Sequence, residues 1–224
     1  MLYIVATPIG NLSDITLRAL EVLRSVDLIA CEDTRQTLKL LNHYQIQKPL
    51  TSYYEHNKLS KGDYLIKLLK EGKNIALVSD SGTPGISDPG FHIVKLALEN
   101  DIAVSPIPGA SALAAALSVC GIPANRFVFE GFLPIKSGAR KKKLQELSKL
   151  DKTIILYESP YRFLKLLDEI KVVFGDAEVT VAREITKKFE EIKKGAIGSV
   201  ISYYQSNKDK VKGEFAVILN RSEK

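Results

Sequence analysis

The chain has 224 residues, 45% of them apolar, and a formal net charge of +6; that apolar content suffices for packed cores in one large domain or two small ones, and excludes a chain that stays unfolded. Cys31 and Cys120 lie far apart in apolar surroundings and read as small buried hydrophobes rather than as a disulfide or a metal pair. His43, His56 and His92 are scattered without ligand spacing, so no metal is expected.

The opening MLYIV reads as a strand and leaves no room for a charged leader, so secretion is not expected. Further on, strand-length apolar runs alternate with helix-period segments. Strands are predicted at Leu2–Thr7, Asp27–Glu32, Leu50–Tyr54, Asn74–Ser79 and Ile102–Pro106. Helices are predicted at Ser13–Ser25 with Ser13 as N-cap, Thr34–Tyr44, Ser60–Glu71, Phe91–Glu99 and Ala110–Cys120. Such alternation is the signature of parallel strands joined by crossovers. The small-residue stretch Ala110–Ile122 is too short to span a membrane and reads as a buried helix.

After Gly121 and Pro123 the pattern changes to FVFEGFLP, a basic helix over Ser137–Lys149, then KTIILYE, SPYRFLKLLDEIKVVF, EVTVARE, a segment from Phe189 to Ser206, and GEFAVILN. The expected organisation is an α/β domain over residues 1–112 with a mainly parallel sheet, a connection over 113–124, and a mixed-sheet α/β domain over 125–224 whose end frays from Arg221. The halves differ in charge: 11 basic and 12 acidic residues through Ala112, against 21 and 14 beyond it, or −1 against +7. A polyanionic partner for the second half is therefore expected, with a merely solvated basic surface as the alternative.

Ligands of open α/β sheets bind beyond the carboxyl ends of the strands. There the chain carries TPIGNLSD, CEDTRQT, the long SDSGTPGISDPG and PIPGASA. The first is not GxGxxG, so a nicotinamide dinucleotide is not indicated. In the long loop, Asp80 is placed to accept hydrogen bonds, Gly82 and Gly85 bracket a tight turn, and Asp88 with Pro89 reads as a helix start. With small residues and no Lys or Arg, the loop suits an adenosine or methionine moiety better than a triphosphate.

VATPIGNLSDIT, ACEDTRQT, VSDSGTPGISDPG, PIPGASA, GFLP, YESPYR and ARE-x-TK-x-x-E-E together, in order and over nearly the whole chain, closely resemble the small-subunit rRNA (cytidine-2′-O)-methyltransferases, a branch of the tetrapyrrole-methylase superfamily. Two positions depart from the family's usual residues, Ser81 in place of Ala and Ile185 in place of Leu. The resemblance implies a tetrapyrrole-methylase-like fold of two α/β domains with S-adenosylmethionine in the cleft between them. It also implies a cytoplasmic homodimer that methylates a decoding-centre cytidine of 16S rRNA, in free rRNA or the small ribosomal subunit. Implied cofactor contacts are Pro8, Gly10, Asp80, Ser81, Gly82, Thr83, Ile86, Ala110, Ser111 and Tyr157.

For the second half, KSGARKKK places Lys136, Arg140, Lys141, Lys142 and Lys143 at a helix start, where positive charge opposes the dipole unless an anion is near. With Arg35 and Arg183 these are the expected RNA contacts, and Phe132 and Tyr161 are candidates to stack on a flipped base. Glu158, Arg162, Glu184 and Lys187 are the candidate catalytic residues, Lys187 to assist deprotonation or to orient the ribose. The rival expectations are a tetrapyrrole-type methylase of a small molecule and a non-catalytic RNA-binding assembly factor.

Overall fold

A computed structural model describes residues 1–220. The expected fraying from Arg221 lies outside the described residues. The chain divides into two units, the first running from Met1 to Ser111 and the second beginning at Ala112.

In the first unit β1 (Leu2–Val5), α1 (Leu17–Ser25), β2 (Leu28–Cys31), α2 (Thr34–His43), β3 (Leu50–Ser52), α3 (Lys58–Lys70), β4 (Ile75–Val78), α4 (Phe91–Glu99) and β5 (Val104–Ile107) alternate strictly. The sheet is parallel throughout, in the order β3-β2-β4-β1-β5. Helices cover both of its faces, and β4, IALV, is buried at every position, as the centre of a doubly covered sheet requires. Because β4 lies between β2 and β1, the loops after β1 and β4 run side by side and pair: Thr7 N donates to Gly82 O at 2.9 Å and Gly82 N to Thr7 O at 3.0 Å.

Two helix starts differ from expectation. Asn11, not Ser13, caps a short 3₁₀ turn at Leu12–Asp14, and α1 begins later, where Thr16 Oγ1 accepts from Ala19 N at 3.1 Å. Asp88 does not cap α4: its carboxyl turns back to the Ser79 hydroxyl, and the helix starts after Gly90. A Cβ on Gly90 would sit 2.9 Å from Gly85 N, so only glycine lets the loop close on itself there.

The second unit holds α5 (Ala112–Val119), β6 (Phe127–Phe132), α6 (Ser137–Leu147), β7 (Thr153–Glu158), α7 (Pro160–Phe174), β8 (Glu178–Arg183), β9 (Glu191–Ala196), α8 (Ile197–Ser206) and β10 (Phe215–Asn220). Its sheet has the order β6-β7-β10-β8-β9, with β6 and β7 parallel and the other pairs antiparallel. One face buries Leu156, Val181 and Val217 against Leu144, Phe163, Leu166 and Val200 of α6, α7 and α8. The other packs Ile155, Ala182, Ala216 and Ile218 against Ala116, Cys120 and Ile122. Residues 113–124, read from sequence as a connection, therefore help build the core of this unit. Both cysteines are buried and free.

Candidate active site

In the first unit the loops at the strand carboxyl ends are tied into one scaffold. Thr7 Oγ1 donates to Ser79 O at 3.2 Å, Ser79 Oγ to Ser81 O at 3.2 Å, and Thr83 Oγ1 to Ala110 O at 3.2 Å. Gly82 has φ +79° and Gly85 φ +85°, conformations that suit glycine; Gly82 is buried, with Ile9 3.3 Å from where a Cβ would lie, whereas Gly85 is exposed with open space beside it. Pro8 is buried beneath this scaffold, while Gly10, Ser81 and Ile86 are exposed and Ser111 is half-buried. The structure thus brings together Thr7, Gly82, Thr83 and Ala110 from three different loops.

Charge at this end is one-sided. Asp80 Oδ1, expected to face a ligand, accepts from Asp33 N at 3.0 Å and so ties the β2 and β4 loops together. Asp33 caps α2 and pairs with Arg35 at 2.7 Å; the Arg35 hydrogen bonds hold its carboxyl down to about 2. Arg35 therefore spends part of its guanidinium on Asp33 rather than presenting all of it to RNA. Burial, reinforced by neighbouring carboxylates, does the opposite to the other two acids. It raises Glu32, and it pushes Asp88 up to about 6 against the Ser79 hydrogen bond, with Glu32 and Asp80 adding to the rise. Glu32 and Asp88 are not legible as site residues from sequence, because their raised affinity for protons comes first from burial and then from Asp80, which the fold brings to both.

In the second unit Tyr157 lies on the α5 face of the sheet, its ring edge-on to Phe129 at 4.9 Å and to Phe132 at 5.8 Å. Glu158, next in sequence, points to the opposite face and is buried. Its Oε1 accepts from Ser159 N at 2.8 Å and Arg162 Nε at 2.8 Å, whereas Oε2 has no partner among the described residues.

The loop after β8 is strained. Glu184 (φ 49°) and the β-branched Thr186 (φ 65°) both sit in the left-handed region, and the Thr186 hydroxyl is buried with no partner among the described residues. A Cβ on Gly213 would fall 2.3 Å from the Glu184 carboxyl, so glycine at 213 makes room for it. Glu184 Oε1 accepts from Lys187 Nζ and from Glu214 N, both at 2.9 Å, and Lys187 also meets Glu214 at 2.9 Å. Burial alone would lower the Lys187 pKa, but the two carboxylates outweigh it and hold the amine above its ordinary value. Lys187 is thus an ammonium and does not accept a proton; it can orient a substrate oxygen. Thr186, Gly213 and Glu214 were not legible as site residues, since the last two arrive from the segment leading into β10, nearly thirty positions away.

Two further expectations change. Arg140 is not an RNA contact: it is 1% exposed and paired with Glu169 at 2.5 Å in the core. Arg183 is committed to the backbone, donating to Lys212 O and Phe189 O at 3.0 Å each. Lys143 is half-buried against Glu130 at 2.7 Å, whereas Lys136, Lys141 and Lys142 are exposed.

Residues 1–201 match the model of the Tetrapyrrole (Corrin/Porphyrin) Methylases. The chain belongs to this family. It is 50% identical over 220 residues to the ribosomal RNA small subunit methyltransferase I of Synechocystis sp., covering 98% of this chain and 78% of that one. Against the protein of the same name from Thermotoga maritima it is 47% identical over 222 residues, with 99% of both chains covered. Among solved structures, diphthine synthase superposes with a TM-score of 0.77 at 16% identity (98% and 89% coverage), and the methyltransferase CobJ with 0.69 at 15% (99% and 94%). These two share the fold.

Proposed function

We propose that the chain is an S-adenosylmethionine-dependent methyltransferase of small-subunit ribosomal RNA, acting on the 2′-oxygen of a cytidine. The observation that carries the cofactor reading is the rim of the first unit, where Glu32, Asp80 and Asp88 gather and two of the three are held above their ordinary carboxylate range. A phosphate would be repelled there, whereas a sulfonium with its ammonium group would be attracted. Asp80, Ser81, Gly82, Thr83, Ile86, Ala110 and Ser111, with Pro8 and Gly10, are proposed to hold it. When bound, S-adenosylmethionine supplies an electrophilic methyl group.

The chain's own contribution is then largely alignment, together with exclusion of water. Glu184 and Glu214 hold the Lys187 ammonium, which is proposed to hydrogen-bond the ribose and to stabilise its 2′-oxygen as the proton passes to solvent water. The RNA reading draws on the names of the relatives, nearly half identical over nearly the full length, and on the exposed lysines of α6. A homodimer is part of the same proposal, and the exposed Leu59, Phe91 and Leu98 of α3 and α4 are the apolar surface it would use.

Methyl transfer from labelled S-adenosylmethionine to purified small subunits and to free rRNA, followed by digestion to nucleosides, tests the reading. Label in 2′-O-methylcytidine is expected. Label in another nucleoside overturns the cytidine assignment; transfer to neither RNA, with the cofactor bound, favours an assembly factor, and absence of cofactor binding by calorimetry overturns the enzyme.

A further inference from the structure

Three consecutive carbonyls in the turn between β6 and α6 are gripped by two guanidiniums. Arg140 Nη1 donates to Pro134 O at 3.3 Å and Ile135 O at 2.8 Å, and Arg162 Nη1 donates to Leu133 O at 3.3 Å. Each arginine is fixed by its own carboxylate. Glu169 takes Arg140 through both oxygens, at 2.5 and 2.9 Å, and also accepts from Ser137 Oγ at 2.7 Å. Glu158 takes Arg162 at 2.6 Å.

Buried ion pairs are poor stabilisers, because desolvation cancels most of their attraction and apolar replacements often do as well. One such pair, Arg140–Glu169, and a second with only its carboxylate fully buried, Arg162–Glu158, both directed at one short turn, are better explained by the conformation they impose. What that turn shows to solvent is Phe132, 58% exposed, and Ile135, 81% exposed, followed by Lys136 and then Lys141 and Lys142. These three lysines make no ion pair among the described residues, unlike Lys143 with Glu130. Flat apolar surface beside uncommitted ammonium groups is the chemistry that receives an unstacked base and its phosphates.

We propose that Arg140 and Arg162 are positioning residues that hold residues 132–136 as a rigid ledge on which a single-stranded nucleotide stacks, with Lys136, Lys141 and Lys142 on its backbone. The assignment rests on the RNA methyltransferase reading above. It explains why an arginine inside a lysine-rich run is buried: it shapes the RNA surface from beneath.

The test is steady-state methylation of small subunits by the full chain, with Arg140→Lys, with the surface pair Phe132→Ala/Ile135→Ser, and with all three changes together. Cofactor affinity is measured by calorimetry and amide exchange over residues 132–136 by mass spectrometry. Arg140→Lys is expected to raise KM for the subunit roughly tenfold, the scale of one lost base stack, with kcat and cofactor affinity within about twofold. Exchange across the turn should accelerate. Added to the surface pair, Arg140→Lys should cost less than about twofold, because the ledge is already gone. Multiplicative effects, a fall in kcat at constant KM, or lost cofactor affinity would each overturn the proposal. Should Arg140→Lys fail to fold, an unchanged KM in the surface pair alone overturns it and a raised one supports it. A wild-type chain that methylates no RNA defeats the functional reading instead, and labelled single-stranded RNA binding to the same variants then tests the ledge separately.

Discussion

The strand carboxyl ends of the two units use charge in opposite ways. In the first, burial and neighbouring carboxylates act on Glu32 and Asp88 with no cation among the described residues to offset them, so both hold their protons more tightly than usual. In the second, Glu158 and Glu184 at the strand ends and Glu169 on α7 each bind an arginine or a lysine, and Glu169 and Glu184 are acidified despite burial. Charge left uncompensated is available to a ligand, whereas charge neutralised internally sets the shape of a loop. The unit with the larger net charge is thus the one whose buried carboxylates are paired with cations, and the nearly neutral unit carries the electrostatic demand.

The comparison is broken most severely at Glu169. Replacing it by Leu strands the Arg140 guanidinium in the core, a loss of about 3 to 5 kcal/mol. Thermal unfolding should show this as a drop of roughly 10 °C. The pair Arg140→Met/Glu169→Leu should regain most of that loss while leaving the turn unclamped. If the single variant is as stable as wild type, Arg140 has another anion and the clamp is misassigned.

Gly213→Ala tests the second unit's other charged loop. The added methyl meets a Glu184 carboxyl that cannot step aside without breaking its bonds to Lys187 and Glu214, and the residue itself is held at φ +84°. A loss of about 2 kcal/mol is expected, together with a larger fall in kcat than in cofactor affinity. Equal falls in both would mean that the loop does not serve the substrate.

Much of this arrangement was legible in the chain. IALV at 75–78 is fully buried, and the alternation of strands and helices gave the parallel sheet, since both follow from local periodicity. The loop residues Gly82, Thr83 and Ala110 do come together, because parallel strands necessarily bring their carboxyl ends to one edge. Arg140 departs from expectation because KSGARKKK reads locally as a run of charge. Its helical phase, shared with the buried Leu144 and Leu147, places it on the inner face, and Glu169 shares its phase with the buried Leu166 three residues before it. The cap of α4 failed for a different reason: a tertiary contact to Ser79 outcompeted the local one for the Asp88 carboxyl.

Asp88→Asn gives the smallest effect and the sharpest test of the first unit. The folded carboxyl titrates at about 6 against an ordinary 3.8, so between those values the native state binds more protons than the unfolded chain. Its contribution is fully present below 3.8 and is lost as pH rises through about 6. At pH 7.5 the ionised group is therefore a burden, and Asn should stabilise the chain by about 1 kcal/mol after allowance for its partial exposure, with no difference near pH 3.5. Binding should respond in the other direction. Affinity for S-adenosylmethionine should fall several-fold and affinity for the thioether product by less, because the product keeps the ammonium group but has lost the sulfonium charge. Equal losses for both ligands would show that Asp88 acts through loop geometry, and the contrast between the two units would then lie in hydrogen bonding alone.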